Sequence, residues 1–386
     1  MLTNYQIPGV YLEDVFSTPE PELMTGVPAF LGLATAGSLN TPQLLTLWPQ
    51  FEQHFGALLS NSYLAYAVRG FFENGGRVCY VVRLQDATQS AYLQAGLDAI
   101  APLDTIDLVC APDIMRASQD ADIRVMQNAI LEHCELLGDR FAILDAANRS
   151  IPEIQQQQQG LSNINGALYA PWLKVPPFKG TTLSEVPPCG HVAGIYARSD
   201  RAAGVYQSPA NYVLEGVLDL TFTITNADFE RLNPGADFER LNPEVPITGV
   251  NCLRSPIGRG IRVWGTRTLS PEPNWRYISV RRLFLTVCRW IERNLANVAF
   301  EPNDFKLWLG IERELTAYFE SLFRQGALKG NTPQEAFFVK CDDETNPPEL
   351  RDSGKVVTEI GFAPTIPCEF IIVRLIHGST GVSVTT

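Results

Sequence analysis

Short apolar runs alternate with amphipathic segments along the first 150 residues of the chain. The apolar runs predict buried strands at 29–34, 77–84, 106–111 and 141–144. Between them, apolar side chains at helical spacing predict helices at 61–73 and 118–137. Strands that alternate with helices are typical of βαβ units, whose strands pair in parallel. We therefore expect an α/β domain with a mostly parallel sheet and helices on both faces.

The pattern changes after residue 275, where two long amphipathic helices are predicted. The first carries apolar side chains at Val280, Leu283, Phe284, Val287, Ile291 and Leu295, and the second at Phe305, Trp308, Leu315, Tyr318, Phe319 and Leu322. The segment 300–304 breaks the pattern, and Asn303 or Asp304 is suited to cap the second helix. Strands are predicted at 336–341, 355–362 and 369–376, the last apolar on both faces and so expected to be sandwiched.

The two ends of the chain read as extended arms. Near the N-terminus, Tyr5, Ile7, Val10 and Leu12 are apolar, and the prolines that follow disfavour a helix. The chain has 386 residues, whereas single cores stop growing at roughly 250–300 residues. We predict an arm and linker at 1–20, an α/β domain at 21–270, and a C-terminal inner domain of long helices and strands at 271–386, which ends in a strand arm.

Two local features concern the middle of the chain. The octapeptide ADFERLNP occurs at 227–234 and again at 236–243, and each copy can form barely two helical turns before Asn-Pro ends it. We interpret the repeat as a local duplication that lengthens a surface loop, with a partner-binding repeat as the alternative. The glutamine run at 155–159 is expected to lie on a solvated helix face.

Composition and charge exclude several classes of protein. Hydrophobic residues make up 45% of the chain and charged residues 19%, which is typical of a globular protein. The formal net charge of -12 argues against a nucleic-acid partner, since phosphate binding needs clustered Lys and Arg. The N-terminal residues predict no secretory signal, and no apolar run approaches about 18 residues. We expect assembly in the cytoplasm and no direct membrane insertion.

Residues capable of catalysis or metal binding are dispersed. The eight cysteines and four histidines form no CxxC or paired Cys/His cluster, so we expect buried or half-buried free thiols, no metal site and no cofactor. The chain lacks GxSxG, HExxH and phosphate-loop motifs, which argues against an enzyme. We expect ion pairs within and between subunits at Arg254, Arg259, Arg262 and Arg267, and a solvated turn at 342–344.

An ordered set of segments resembles the phage tail sheath family, which includes the sheaths of R-type pyocins and extracellular contractile injection systems. The segments are PGVYLE at 8–13, VAGIYARSD at 192–200, GVYQSPAN at 204–211, GIRVWGTRTL at 260–269, RRLF at 281–284, FEPND at 300–304, AFFVKC at 336–341, GFAP at 361–364 and EFI at 369–371. The similarity spans nearly the whole chain. One departure is the octapeptide, which similar sheaths usually carry once.

The resemblance implies a structural subunit that polymerises as stacked hexameric rings around an inner tube and contracts to drive the tube through a target envelope. It implies as partners further copies of the chain, the tube protein, and baseplate and terminator or cap proteins, and it leaves open a second sheath isoform. The alternatives are a static tail component, such as a terminator or baseplate protein, and a hydrolase on the α/β domain.

Candidate site residues follow from the resemblance and from the ends of the chain. In the family, terminal arms add strands to neighbouring subunits, and a short apolar arm that cannot bury its own face fits this mode. The arm residues are Tyr5, Ile7, Val10, Tyr11, Leu12, Phe370, Ile372 and Arg374. Pairing of both ends within their own chain is the alternative. Contact with the tube is expected around the helix at 304–329 and its exit, through Arg324 and Lys329.

Overall fold

The computed structural model describes residues 23–177, 184–234 and 249–368, together with the backbone of 374–378 and 381–385. The predicted N-terminal arm with Tyr5, Ile7, Val10, Tyr11 and Leu12 lies outside the described residues, as do Phe370, Ile372 and the second octapeptide copy. Arg374 is the first residue of a described strand, but only its backbone is described.

The strands and helices of the first 170 residues alternate from Leu64 onward, as predicted. In chain order they are β1 Pro28–Gly32, β2 Gln43–Leu45, α1 Pro49–Phe55, α2 Leu64–Glu73, β3 Cys79–Arg83, α3 Ser90–Ile100, β4 Leu108–Cys110, α4 Asp120–Leu137, β5 Phe141–Asp145, α5 Ile151–Gln159 and β6 Gly166–Ala170. The four predicted strands and two predicted helices of this part are all present, with ends shifted by up to three residues.

The remaining described strands and helices, which include two long helices, follow this part of the chain. They are β7 Leu173–Lys174, β8 Glu185–Val186, α6 Cys189–Ala203, β9 Asp219–Leu220, α7 Asn226–Leu232, β10 Val250–Arg254, β11 Arg262–Trp264, α8 Ile278–Leu295, α9 Phe305–Arg324, α10 Pro333–Ala336, β12 Phe337–Lys340, α11 Pro348–Asp352, β13 Glu359–Phe362, β14 Arg374–Gly378 and β15 Gly381–Thr385. Both predicted long helices are confirmed, and the carboxylate of Asp304 caps α9 by accepting hydrogen bonds from the backbone N–H groups of Lys306 (2.8 Å) and Leu307 (3.2 Å).

The main sheet has eight strands in the order β11-β10-β6-β5-β4-β1-β3-β2. The pairs β1–β3, β1–β4, β4–β5, β5–β6 and β6–β10 are parallel, and antiparallel pairing occurs at the two edges, where β2 joins β3 and β11 joins β10. Every residue of β1, β5 and β6 is buried. Burial on both faces is typical of parallel sheets covered by helices, and the α/β prediction is confirmed.

Helices cover both faces of this sheet. Phe30 of β1 packs with α2 and α6 in one core, whereas its neighbours Ala29 and Leu31 pack with α3 and α4 in the other. The helices α2 and α6 approach very closely: a Cβ atom at Gly190 would lie 2.3 Å from the Cα atom of Ala67. The absence of a side chain at Gly190 is therefore what allows this helix pair to form.

A third core lies in the C-terminal part of the chain. Leu283 and Val287 of α8 pack with Phe319 and Leu322 of α9, and the inner face of the β12–β13 pair covers them. The opposite face of α8 contributes Ile278 and Leu285 to the sheet core. Because α8 is part of two cores, the C-terminal part is packed directly on the α/β sheet.

Two predictions need correction, and one feature was not predicted. Gln157 and Gln158 are buried rather than solvated, because Gln157 donates to the side chain of Gln127 (2.9 Å) and accepts from the backbone N–H of Ala147 (2.8 Å). Among the eight free cysteines, Cys288 and Cys368 are exposed, whereas the other six are buried as predicted. The C-terminal strand ends in a hairpin with β15, which the sequence pattern did not indicate.

The close packing of α2 on α6 makes a matched pair of glycine substitutions informative. Gly190→Ala places a methyl group against the backbone of Ala67, so we expect a loss of about 1–3 kcal/mol in the free energy of unfolding. Gly310→Ala, inside α9 and with nothing within 4 Å of the added Cβ, should instead stabilise by up to about 1 kcal/mol. Urea denaturation measures both, and equal effects would contradict the packing described.

Candidate functional site

A buried cluster of charged side chains joins α8 to the α/β sheet. The guanidinium of Arg282, near the start of α8, donates from Nη1 to Oδ1 of Asp200 (2.7 Å) and from Nη2 to Oδ2 of Asp200 (2.6 Å). Its Nη2 also donates to Oδ2 of Asp107 at 3.1 Å, and the guanidinium lies 4.8 Å from the ring centre of Tyr196. One arginine therefore connects α8 with α6 and with the residue that precedes β4.

The two carboxylates of this cluster also hold the beginning of the described chain. Asp107 accepts hydrogen bonds from the backbone N–H groups of Gly26 (2.9 Å) and Val27 (2.6 Å). The side chain of Thr25 hydrogen-bonds to Asp200. The cluster thus connects four parts of the fold, namely the segment that enters β1, the start of β4, α6 and α8.

The cluster sets one buried cation against two buried carboxylates, and burial raises the pKa of Asp200. The side chains of Arg282, Asp107 and Asp200 are 3%, 7% and 2% exposed. Burial by itself would lower the pKa of Arg282, but the charges of Asp200 and Asp107 outweigh burial and raise that pKa. The arginine therefore stays charged, and bidentate pairing satisfies its hydrogen-bond donors inside the protein.

A further hydrogen bond attaches the C-terminal part to the sheet domain, and ring contacts continue from there within the C-terminal part. The hydroxyl of Tyr206 donates to the backbone carbonyl of Gln325, just past the end of α9, at 2.7 Å. Near the start of α8, Phe284 packs edge-on against Trp275 with ring centres 4.8 Å apart and stacks on Phe362 of β13 at 4.2 Å. These contacts extend the junction from the sheet to the small β12–β13 pair.

The β12–β13 pair is a candidate acceptor for additional strands. Phe337 pairs with Phe362 on the inner face, and Phe338 pairs with Gly361 on the outer face. Phe338 is 57% exposed, and its ring lies across Gly361, where a Cβ atom would be 2.2 Å from it. Within the described part of the chain each of the two strands pairs with only one other strand, so backbone groups at the outer edges can accept another strand.

The predicted tube-facing residues lie at the far end of α9. Arg324 is the last residue of this helix, which ends five residues before Lys329 rather than at it. The side chain of Arg324 is 77% exposed and pairs with Glu320 at 3.0 Å. Lys329 is also exposed, and its backbone N–H donates to the carbonyl of Ala363 at 2.8 Å. The two cations are therefore at the surface and close in sequence, but on different elements.

Within the single chain, two of the four arginines predicted to form ion pairs within or between subunits bind neutral groups. Arg254 donates to the side-chain oxygen of Asn226 (2.7 Å), and Arg262 donates to the backbone carbonyl of Asn211 (2.8 Å). Arg254 also lies over the ring of Phe229. The predicted turn at 342–344 is confirmed, because Asp342 accepts hydrogen bonds from the backbone N–H groups of Glu344 and Thr345.

The partners of Arg282 are not evident from the sequence pattern. The residue was recognised as part of the segment RRLF, but Asp107 and Asp200 lie 175 and 82 positions away. The helical pattern does not mark its burial, because Arg282 and Arg289 lie on the face opposite the apolar side chains Leu283 and Val287. A buried arginine needs a partner, and the partners of Arg282 come from other elements.

Across residues 23–177, 184–234 and 249–368, no group of three or more His, Cys, Asp and Glu side chains is arranged to hold a metal ion. In the same part of the chain, no helix combines the length and apolar character needed to cross a bilayer.

Comparison with protein families gives two matches. A family described as the phage tail sheath protein central domain matches residues 85–269, and one described as the phage tail sheath C-terminal domain matches residues 270–376. Among curated proteins, the tail sheath protein of Vibrio phage KVP40 is 26% identical over 199 residues, which are 50% of this chain and 27% of that protein. The chain thus spans about a quarter of the length of this relative.

Solved structures match over almost the full chain. A chain of the anti-feeding prophage baseplate is 29% identical, with a TM-score of 0.78 over 97% of this chain and 99% of that one. A chain of the PVC sheath complex, an extracellular contractile injection system in its contracted state, is 27% identical, with a TM-score of 0.76 over 98% of this chain and 99% of that one.

The buried cluster predicts a large difference between two arginine substitutions. Arg282→Met leaves two buried carboxylates without their cation, so we expect a loss of about 3–5 kcal/mol in the free energy of unfolding. Arg324→Met removes an exposed pair with Glu320 and should change stability by about 0–1 kcal/mol. Denaturant unfolding at neutral pH compares the two variants, and a similarly small loss for both would show that the cluster is not a structural junction.

Proposed function

Because this chain belongs to the phage tail sheath family, whose two domain models cover residues 85–376, we propose that it is the structural sheath subunit of a contractile particle. Such a subunit polymerises around an inner tube and contracts to drive the tube through a target envelope. The observation that carries the proposal is the match, at 27% identity and over 98% of this chain, to a chain of a sheath complex in its contracted state.

The proposed partners are other copies of this chain, stacked as hexameric rings, together with an inner tube protein, a baseplate and a terminator or cap protein. A second sheath isoform is a further candidate. Support for self-association and for a baseplate comes from the matched chains, which were solved within a sheath complex and a baseplate. We propose that the particle assembles in the cytoplasm and becomes part of a phage tail or an injection system.

We propose that the terminal arms connect neighbouring subunits by strand addition. The donated segments would carry Tyr5, Ile7, Val10, Tyr11 and Leu12 at one end, and Phe370, Ile372 and Arg374 at the other. The open edges of the β12–β13 pair support this, because an added strand would satisfy their backbone groups. At the C-terminal end, β14 pairs with β15 of the same chain, which favours pairing within one chain. The N-terminal arm is therefore the better supported of the two proposed strand donors.

We propose that the subunit moves as one rigid body and that its role is structural rather than catalytic. The proposed parts are an arm and linker at 1–20, an α/β domain at 21–270 and a C-terminal domain at 271–386. Helix α8 packs in the cores of both domains. Packed cores resist deformation, whereas interfaces between subunits can have two stable arrangements. Contraction would then change contacts between subunits and leave each core intact.

A specific observation favours a second candidate function. The match to a chain of the anti-feeding prophage baseplate has a TM-score of 0.78, so a static baseplate or terminator role is the alternative to a repeating sheath subunit. The two candidates differ in whether the purified chain forms a polymer.

Negative-stain electron microscopy of the protein, alone and together with its tube protein, distinguishes the two functions. We expect hollow striated cylinders for the full chain, because sheath subunits polymerise. A variant that lacks residues 1–12 should fold to the same circular-dichroism spectrum and fail to form cylinders, because it has no arm to donate. Monomers of the full chain under both conditions would contradict the sheath function and favour the static role.

Contact with the tube is tested by reversing charge at the end of α9. The double variant Arg324→Glu and Lys329→Glu should reduce the number of sheaths formed on tubes, because the proposed contact is electrostatic. Lys306→Glu, a charge reversal at the exposed start of the same helix, is the matched control and should assemble normally. Normal assembly of the double variant would reject Arg324 and Lys329 as tube contacts.

A further inference from the structure

The first described residues are held by side chains from two directions. We call residues 24–27 the root, since they connect the N-terminal segment to β1. Arg289 of α8 donates from Nη1 to the backbone carbonyl of Met24 at 3.3 Å, and Asp107 accepts from the backbone N–H groups of Gly26 and Val27. The backbone of the root is thus hydrogen-bonded at three of its four residues.

Arg289 also ties the root to a second part of the chain. Its Nη2 donates to the backbone carbonyls of Asp104 (3.0 Å) and Thr105 (3.3 Å), and the residue is 5% exposed. A planar guanidinium can bond several carbonyls at once because its donors are fixed in a fork. One side chain of α8 therefore joins the root to the segment that leads into β4.

The root is also seated tightly on α6. Gly26 has a φ of +71°, and a Cβ atom there would lie 2.5 Å from the Cα atom of Ala197. A glycine is required at this position, because other residues disfavour the positive φ and a side chain would clash with Ala197. The root is therefore in direct contact with the helix that carries Asp200, the second carboxylate bound by Arg282.

These contacts form one network around α8. Arg282 and Arg289 are two helical turns apart, and they reach the root through Asp107 and through the carbonyl of Met24, respectively. In the proposed function, a neighbouring subunit holds the segment before the root as an arm. Any pull on that arm enters the subunit at the root.

We propose that Arg282 and Arg289 make the root a tension-bearing anchor, which passes a pull on the N-terminal arm into α8 and so to both cores. The proposal rests on the proposed function for its role in the particle. The anchor itself is a property of the single chain. It assigns a positioning role to Arg289, which holds the root against the segment that leads into β4.

Hydrogen exchange of the purified full chain tests the anchor directly. In Arg289→Met, we expect the amides of Gly26 and Val27 to exchange about tenfold faster than in the unmodified chain, because the root opens more often. Arg293→Met, one turn further along α8 at an exposed position, is the matched control and should exchange at the original rate. If Arg289→Met does not fold, Arg289→Lys, which keeps the charge and some donors, replaces it.

A force measurement tests the mechanical part. The chain is pulled between an N-terminal tag and the exposed thiol of Cys288 in a Cys368→Ser background, which leaves buried the other six cysteines. We expect the root to detach at a lower force in Arg289→Met than in Arg293→Met. Equal detachment forces, or unchanged exchange at Gly26 and Val27 in the folded variant, would overturn the anchor. The force measurement uses single chains, so its outcome is independent of whether the protein polymerises.

Discussion

The buried pairing of Arg282 with Asp107 and Asp200 is the interaction on which the arrangement of this protein depends. A buried guanidinium is costly unless charge and hydrogen bonds compensate it, and here two carboxylates do so. Because each carboxylate belongs to a different element, the compensation requires α6, α8 and the start of β4 to meet at one point. The same carboxylates bind the entry to β1, so the position of the N-terminal segment is set by the same interaction.

The sharing of α8 between two cores has a consequence for motion. One face of the helix packs with the sheet, and another packs with α9 and the β12–β13 pair. A hinge between the two parts would have to break this helix or expose apolar surface from both cores. The described residues therefore favour a subunit that moves as one body, with rearrangement confined to the segments that connect it to its neighbours.

Elements that depend on local residue patterns agree with the sequence predictions, whereas burial that depends on distant partners does not. Apolar runs such as 29–34 and 141–144 were identified as buried strands, since a strand covered on both faces must be apolar throughout. The cap at Asp304 was predicted because capping is local. The burial of Gln157 was not, because its partners Gln127 and Ala147 come from other elements, and a glutamine run by itself reads as polar surface.

The sequence by itself determined the order of strands and helices, the mostly parallel sheet, the two long C-terminal helices and the family. These features follow from the spacing of apolar residues, from breaks in that spacing such as 300–304, and from the ordered motifs. All of them can be read along the sequence without knowledge of tertiary contacts. Only the tertiary structure decided which residues form the junction: Asp107, Asp200, Arg282 and Arg289 come from distant segments, and Arg282 lies 175 positions from Asp107. The physical reason is that a charged side chain can be buried only where its partners are, and the folded backbone alone fixes where they meet.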